Sequence, residues 1–245
     1  MSPTSPFLYT ANQTASNVSA FAVDPGAGGL TNIMGAPFAI TPASHPSAIA
    51  ISPAGNFLFV ANATEGTVVV FAIGSTGTLT QAGAPVSMGA GATPNSLAAE
   101  HSGRFLYVAD TAHNAILGFS IGSGGTLAAI AGSPFAAGTQ PKGLGIDPQG
   151  ALLYTANSGS NDVSAFVIDS SSGALGAVTG SPFPTGGVGP SAVAVDSDTS
   201  IVYVTEQGTH DIAAYGIASN GALTPVAGSP FGVGAAASAI GIASR

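Results

Sequence analysis

Hydrophobic and polar residues alternate along this chain in short runs, and no stretch of useful length shows helical spacing. The run Phe105-Leu-Tyr-Val-Ala-Asp110 reads as a half-buried strand. A polar turn follows, and then a second such run, Ile116–Ile121. The first run recurs as Phe7–Asn12, Phe57–Asn62, Leu152–Asn157 and Ile201–Glu206, at a spacing of 47–50 residues. The second recurs as Val18–Val23, Val68–Ile73, Val163–Ile168 and Ile212–Ile217. A fixed period in this range signals an array of supersecondary units.

Two further strands complete each unit. A Gly-rich turn leads to Pro37-Phe38, Pro85-Val86, Pro134-Phe135, Pro182-Phe183 or Pro230-Phe231. Proline has no N–H to give a ladder, so this strand, around Leu79–Val86 in the second unit, belongs at the sheet edge. Then come Pro46–Ile51, Pro94–Ala99, Pro141–Ile146, Pro190–Val195 and, without its proline, Ala237–Ile242. Four antiparallel strands per repeat of this length make one β-propeller blade. The expected fold is all-β, a five-bladed propeller forming one domain over residues 1–245. The chain starts on a second strand, and residues 239–242 would supply the missing inner strand of blade one. Pairing of the N- and C-terminal strands would then close the ring. Small residues alternate along the inner strands (Ala48 and Ala50, Gly143 and Gly145, Ala192 and Ala194), as a narrow axis would need.

All 17 aromatic residues fall in four recurring strand columns, which leaves none in a loop to stack on a base or sugar ring. Charged residues make up 6% of the chain against a usual ~25%. Net charge is −8, with only Arg104, Lys142 and Arg245 positive. Nucleic-acid binding by counterion release needs many more cations, and anionic membranes are disfavoured for the same reason. No hydrophobic run approaches the ~20 residues of a membrane helix, and Met1–Pro6 shows no signal-peptide pattern. A surface built from Ser, Thr, Asn, Gly and Ala suggests an extracellular or periplasmic protein, and a monomer is expected. With no cysteine there is no disulfide framework.

Loop polar residues sort to two faces. One collects His45, Glu65, Asn95, Asp110, His113, Lys142, Asp162, Glu206, His210 and Asp211; the other collects Asp24, Glu100, His101, Arg104, Asp147, Asp169, Asp196 and Asp198. Asn12, Asn62, Asp110, Asn157 and Glu206 share one position in the repeat, and the Asn and Asp members read as turn-formers that bond backbone two residues on. Glu100, His101 and Arg104 read as a locally paired surface turn. Connections on the first face vary between blades, so a ligand belongs there. His113, Glu65, His210 and Glu206 are the catalytic candidates, as general bases or in metal-assisted hydrolysis. His45, Asn95, Lys142, Asp162 and Asp211 are the ligand-binding candidates. No dedicated metal site or cofactor is expected, although rim carboxylates could hold a hard cation such as Ca²⁺. There is no nucleophile elbow, phosphate loop or His-Glu-x-x-His.

Tyr203-Val-Thr-Glu206, Tyr107-Val-Ala-Asp110 and Tyr154-Thr-Ala-Asn157 resemble the YVTN repeat. The run from Gly143 to Phe166 is similar to the lactonase family of β-propellers, the phosphogluconolactonase-like group. That resemblance covers the whole chain and implies bacterial origin, usually seven blades and, in some members, hydrolysis of a sugar lactone. The matching residues are the structural columns, so no catalytic residue is carried over, and only Lys142 could meet a phosphorylated substrate. Two functions are open: a non-catalytic scaffold with a protein or small-molecule partner, favoured by the charge-poor loops, and a lactone hydrolase.

Overall fold

The computed structural model describes residues 7–196, 198 and 200–241. Every element is a β-strand, and among the described residues no helix is long and apolar enough to cross a membrane. The first blade holds β1 (Phe7–Asn12), β2 (Asn17–Val23), β3 (Leu30–Asn32) and β4 (Phe38–Ala39). The second holds β5 (Pro46–Ile51), β6 (Phe57–Asn62), β7 (Thr67–Ile73), β8 (Leu79–Gln81) and β9 (Val86–Ser87). The third holds β10 (Pro94–Ala99), β11 (Phe105–Asp110), β12 (Ala115–Ile121), β13 (Leu127–Ala129) and β14 (Phe135–Ala136). In the fourth are β15 (Pro141–Ile146), β16 (Leu152–Asn157), β17 (Asp162–Ile168), β18 (Leu175–Ala177) and β19 (Phe183–Pro184). The fifth comprises β20 (Pro190–Asp196), β21 (Ile201–Glu206), β22 (Asp211–Ile217), β23 (Leu223–Pro225) and β24 (Phe231–Gly232).

Five antiparallel sheets of the β-propeller class result, as the period predicts. The outer strand differs from expectation. It is two short pieces, both on the third strand: β8 pairs with β7 at Phe71–Ile73, and β9 pairs with it at Thr67–Val68. The recurring proline stands just before the second piece, not inside a strand, so no ladder N–H is missing there. Inner strands do open on proline, and a register shift follows in three of them, between Pro46 and Ala48, Pro141 and Gly143, and Pro190 and Ala192. Ser47, Lys142 and Ser191 are therefore bulge residues.

The expected closing strand is not seen. Ala235–Gly241 form no strand, Ile242 lies outside the described residues, and β1 pairs only with β2 among the described residues. Residues 235–241 are Ala-Ala-Ala-Ser-Ala-Ile-Gly, poor in the β-branched residues that favour strands. Leu8 on β1 is accordingly 42% exposed, whereas its equivalents Leu58, Leu106, Leu153 and Val202 are fully buried.

The chain divides into two compact units, Met1–Leu106 with Ser120–Ala128, and Tyr107–Phe119 with Ala129–Arg245. In the first, Tyr9, Val18, Leu58, Val60, Val69 and Phe71 form one core between the first and second sheets. In the second, Tyr154, Val163, Val202, Val204 and Tyr215 do the same between the fourth and fifth. All 17 aromatics lie on strands, as their columns predict.

A repeated latch joins successive blades. The Tyr9 hydroxyl donates to the Gly77 carbonyl at 2.9 Å, Tyr107 to Gly173 at 2.7 Å and Tyr154 to Gly221 at 3.1 Å. These hydroxyls are buried, and burial pushes the Tyr9 pKa up to about 12. Each glycine sits at positive φ in the turn after the third strand of the next blade (+80°, +75° and +85°). A Cβ on Gly77 would stand 2.8 Å from the Phe7 ring, and one on Gly221 would stand 2.6 Å from Leu152. The small residues of the inner strands have a similar cause. A Cβ on Gly143 would stand 2.7 Å from the Ala192 Cα, so the neighbouring inner strand itself requires them.

Candidate functional site

The recurring polar position at the end of each second strand is buried, and in most blades it does not act as the expected turn-former. Asn157 donates to Asp162 Oδ1 at 2.6 Å and to Ser164 Oγ at 2.9 Å across the β16–β17 hairpin, and Asn12 bonds Asn17 and Ser19 in the same way. The side chain of Asn62 reaches Thr67 Oγ1 at 3.2 Å. Only Asp110 bonds the backbone two residues on, accepting from Ala112 N at 3.2 Å.

Its second oxygen does something the asparagines cannot. Asp110 Oδ2 meets His113 Nδ1 at 2.6 Å; the carboxylate is 2% exposed and the imidazole 51%. A carboxylate can only accept, so Nδ1 carries the proton and the exposed Nε2 is left as a base. This is a base oriented by a buried carboxylate, the arrangement that general-base chemistry needs. The turn is held from below: Thr111 Oγ1 donates to the Pro141 carbonyl at 2.7 Å, Gln140 N to Asn114 Oδ1 at 2.8 Å and Ala137 N to the Asn114 carbonyl at 2.9 Å. Lys142 follows Pro141 directly, on the bulge, where a side chain leaves the regular ladder direction.

The other candidates fall into separate pairs. His45 Nδ1 meets Glu65 Oε1 at 2.9 Å, and His45 N donates to Glu65 Oε2 at 3.0 Å; the pair is exposed. Burial pulls the Glu65 carboxyl up, but the His45 amide and ring outweigh it and hold the group below its usual value. Glu65 borders a cleft of about 360 Å³ with Gly66, Gly91 and Thr93. Asn95 is half-buried on β10, and Asp162 is taken up by Asn157. Glu206 is fully buried beside Asp211, and His210 is exposed, with its amide closing the turn onto the Glu206 carbonyl at 3.0 Å. The histidines therefore do not share one carboxylate cluster: His45 pairs with Glu65, and His113 with Asp110.

Sequence reasoning passed over Asp110 as a turn residue. Its signal was an Asp in a column of Asn, followed three residues later by His. On the opposite face, Glu100 caps its turn through Ser102 N (2.8 Å) and Ser102 Oγ, and Arg104 lies 5.1 Å over the Phe105 ring. That turn is locally paired, as expected. A cleft of about 380 Å³ on this face, lined by Asp147, Leu152, Val195, Asp196 and Asn220, recurs at about 220 Å³ around Ser52, Asn56 and Ser102. Because it repeats between blades, the stacking of blades builds it.

Sheets and loops together define a repeat β-propeller with a carboxylate-oriented histidine on a variable turn. Residues 1–95 and 90–186 each match the family described as lactonase, 7-bladed β-propeller, and the chain belongs to that family. Five blades are formed among the described residues. No curated protein matches the chain. Among solved structures, a candidate 6-phosphogluconolactonase of Bacteroides uniformis shares the fold at 19% identity and a TM-score of 0.81, over 95% of this chain and 70% of that one. A second, from Bacteroides fragilis, does so at 20% identity and a TM-score of 0.77, over 91% and 67%. The periplasmic gluconolactonase of Pseudomonas aeruginosa does so at 22% and 0.77, over 94% and 68%. At these identities the likeness is one of fold.

Proposed function

We propose that this protein hydrolyses a sugar lactone and that His113 is its general base. The Asp110–His113 pair carries this reading, set on a chain of the lactonase family. The scaffold role favoured from the charge-poor loops has less support, because it gives the family membership no chemistry to perform. In the proposed step, His113 Nε2 takes a proton from water and the hydroxide attacks the lactone carbonyl carbon. The ring C–O bond of the tetrahedral intermediate then breaks, and the leaving alkoxide takes the proton back from the imidazolium, giving the open hydroxy acid. Asp110 holds the ring and stabilises its cationic form. Lys142, on the neighbouring bulge, faces an anionic group of the substrate. We place the protein outside the cytoplasm, in line with its charge-poor surface and its likeness in fold to a periplasmic enzyme.

The test is turnover of aldonolactones, phosphorylated and not. His113→Ala is expected to lower kcat by about 10²–10⁴-fold. Asp110→Asn is expected to do nearly as much by releasing the ring tautomer, with His101→Ala on the opposite face as the control. Absence of turnover above background with every lactone, or full activity in His113→Ala, overturns the reading.

A further inference from the structure

Blades four and five carry the same turn with one change of chemistry. Asn157 and Asp162 in blade four correspond to Glu206 and Asp211 in blade five, each pair facing across its hairpin. The connection above each is also shared. Thr139 N donates to Ser160 Oγ at 2.9 Å in one blade, and Val188 N to Thr209 Oγ1 at 3.1 Å in the other. Each connection has a glycine over the pair. A Cβ on Gly138 would stand 2.5 Å from Asn157 Nδ2; one on Gly187 would stand 2.5 Å from both the Glu206 Cδ and Thr209 Oγ1.

In blade four the Asn157 amide supplies the donor that satisfies Asp162 and Ser164. Blade five has lost that donor. Glu206 can only accept when ionised, its facing residue Asp211 is another acceptor, and Ser164 is replaced by Ala213. Glu206 is fully buried, and neither of its carboxylate oxygens has a hydrogen bond of regular geometry, although the Gly187 amide and the Thr185 hydroxyl lie beside it. The Thr185 hydroxyl faces it but gives its proton to the Asn161 carbonyl at 3.1 Å. Thr209 Oγ1 donates to Asp211 Oδ1 at 2.8 Å. A fully buried carboxylate that faces a second, half-buried one is costly unless positive charge lies between them.

We propose that Glu206 and Asp211, with the hydroxyl oxygens of Thr185 and Thr209 beneath Gly187, bind a divalent oxygen-seeking cation, Ca²⁺ by preference. Among the described residues no three His, Asp or Glu side chains converge as a metal site, so the set depends on carboxylates completed by hydroxyl oxygens. Two bidentate carboxylates and two hydroxyls reach the lower end of the six to eight oxygens that Ca²⁺ takes, whereas softer metals want nitrogen or sulfur. Tyr215 provides a reporter. Its hydroxyl donates to the Pro184 carbonyl at 2.8 Å, next to Thr185, and burial together with the Glu206 charge pushes its pKa up.

The experiment uses the whole chain after chelation, at pH 8. Tb³⁺ should give luminescence on tyrosine excitation, and Ca²⁺ should displace it. Ca²⁺ well above its Kd should raise Tm by on the order of 5 °C. Glu206→Gln restores the donor of blade four, so it should fold and lose both responses, and Tyr215→Phe should dim the luminescence while keeping the Ca²⁺ shift. Asp211→Asn is a second route to the same loss if the first variant is poorly folded. No response of the native chain to millimolar Ca²⁺, or an equal response in Glu206→Gln and Asp211→Asn, overturns the proposal. These readouts do not involve lactone turnover, so either proposal can fail alone.

Discussion

A single buried side chain changes how stability follows pH. In the metal-free protein, burial pushes the Glu206 carboxyl up to about 7, with the Asp211 carboxylate adding to the shift. The folded protein thus holds this proton more tightly than the unfolded chain does. That preference contributes fully below the ordinary carboxyl value of 4.5 and is lost as pH rises through about 7. Over this window stability should fall by roughly 3 kcal/mol. Denaturant melts at several pH values in chelator check this, and Glu206→Gln should flatten the decline. The latch offers another single-residue test. Phe59 stands in the tyrosine column, fully buried, in the blade before the Gly125 turn. Phe59→Tyr should aim a hydroxyl at that turn as Tyr9 does at Gly77, and add about 1 kcal/mol. Tyr154→Phe should cost about 1–3 kcal/mol by leaving the Gly221 carbonyl unpaired.

At the level of the turn, glycine is required by two constraints at once. Gly77 has φ +80°, and its Cβ would press on Phe7 and Ile33 of the preceding blade. Gly77→Ala should destabilise by about 2–4 kcal/mol, whereas Gly83→Ala, at a similar φ but with open space around it, should cost only the backbone strain. The difference between their two denaturant midpoints is the measurement. Strands and their order were legible in the sequence because alternation and period report burial directly, as at Phe105–Asp110 and its copies. The split outer strand was not legible, since a proline marks an edge without saying whether the ladder pauses beside it. Nor was the bulge at Lys142, because it falls at the second residue of its strand, before any alternation has been established. Glu206 reads from the sequence as a catalytic candidate on an open rim. Its burial depends on Gly187, which lies far from it in sequence and carries no side chain to betray the contact. Asp110 was hidden for a similar reason: it occupies a position that other blades fill with asparagine for structural ends.

For the whole molecule, the scarcity of charge sets the response to salt. The ion pairs His45–Glu65 and His113–Asp110 both involve histidine, and the net charge is −8 with only three Lys and Arg residues against eleven Asp and Glu. Added salt therefore screens repulsion more than attraction, so Tm should rise modestly between 0.05 and 0.5 M NaCl. A fall in Tm would point to an attraction that the sequence does not supply. The tyrosine–glycine latch also bears on how such a chain can be rebuilt. The fourth blade carries a key on its second strand, Tyr154, for the blade ahead and a socket in its own turn, Gly173, for the blade behind. That repeat, excised between two inner strands, takes both halves with it, so a duplicated copy can be spliced in without redesigning either neighbour. A graft cut inside the blade would separate key from socket and leave two unmatched joints in place of one new member.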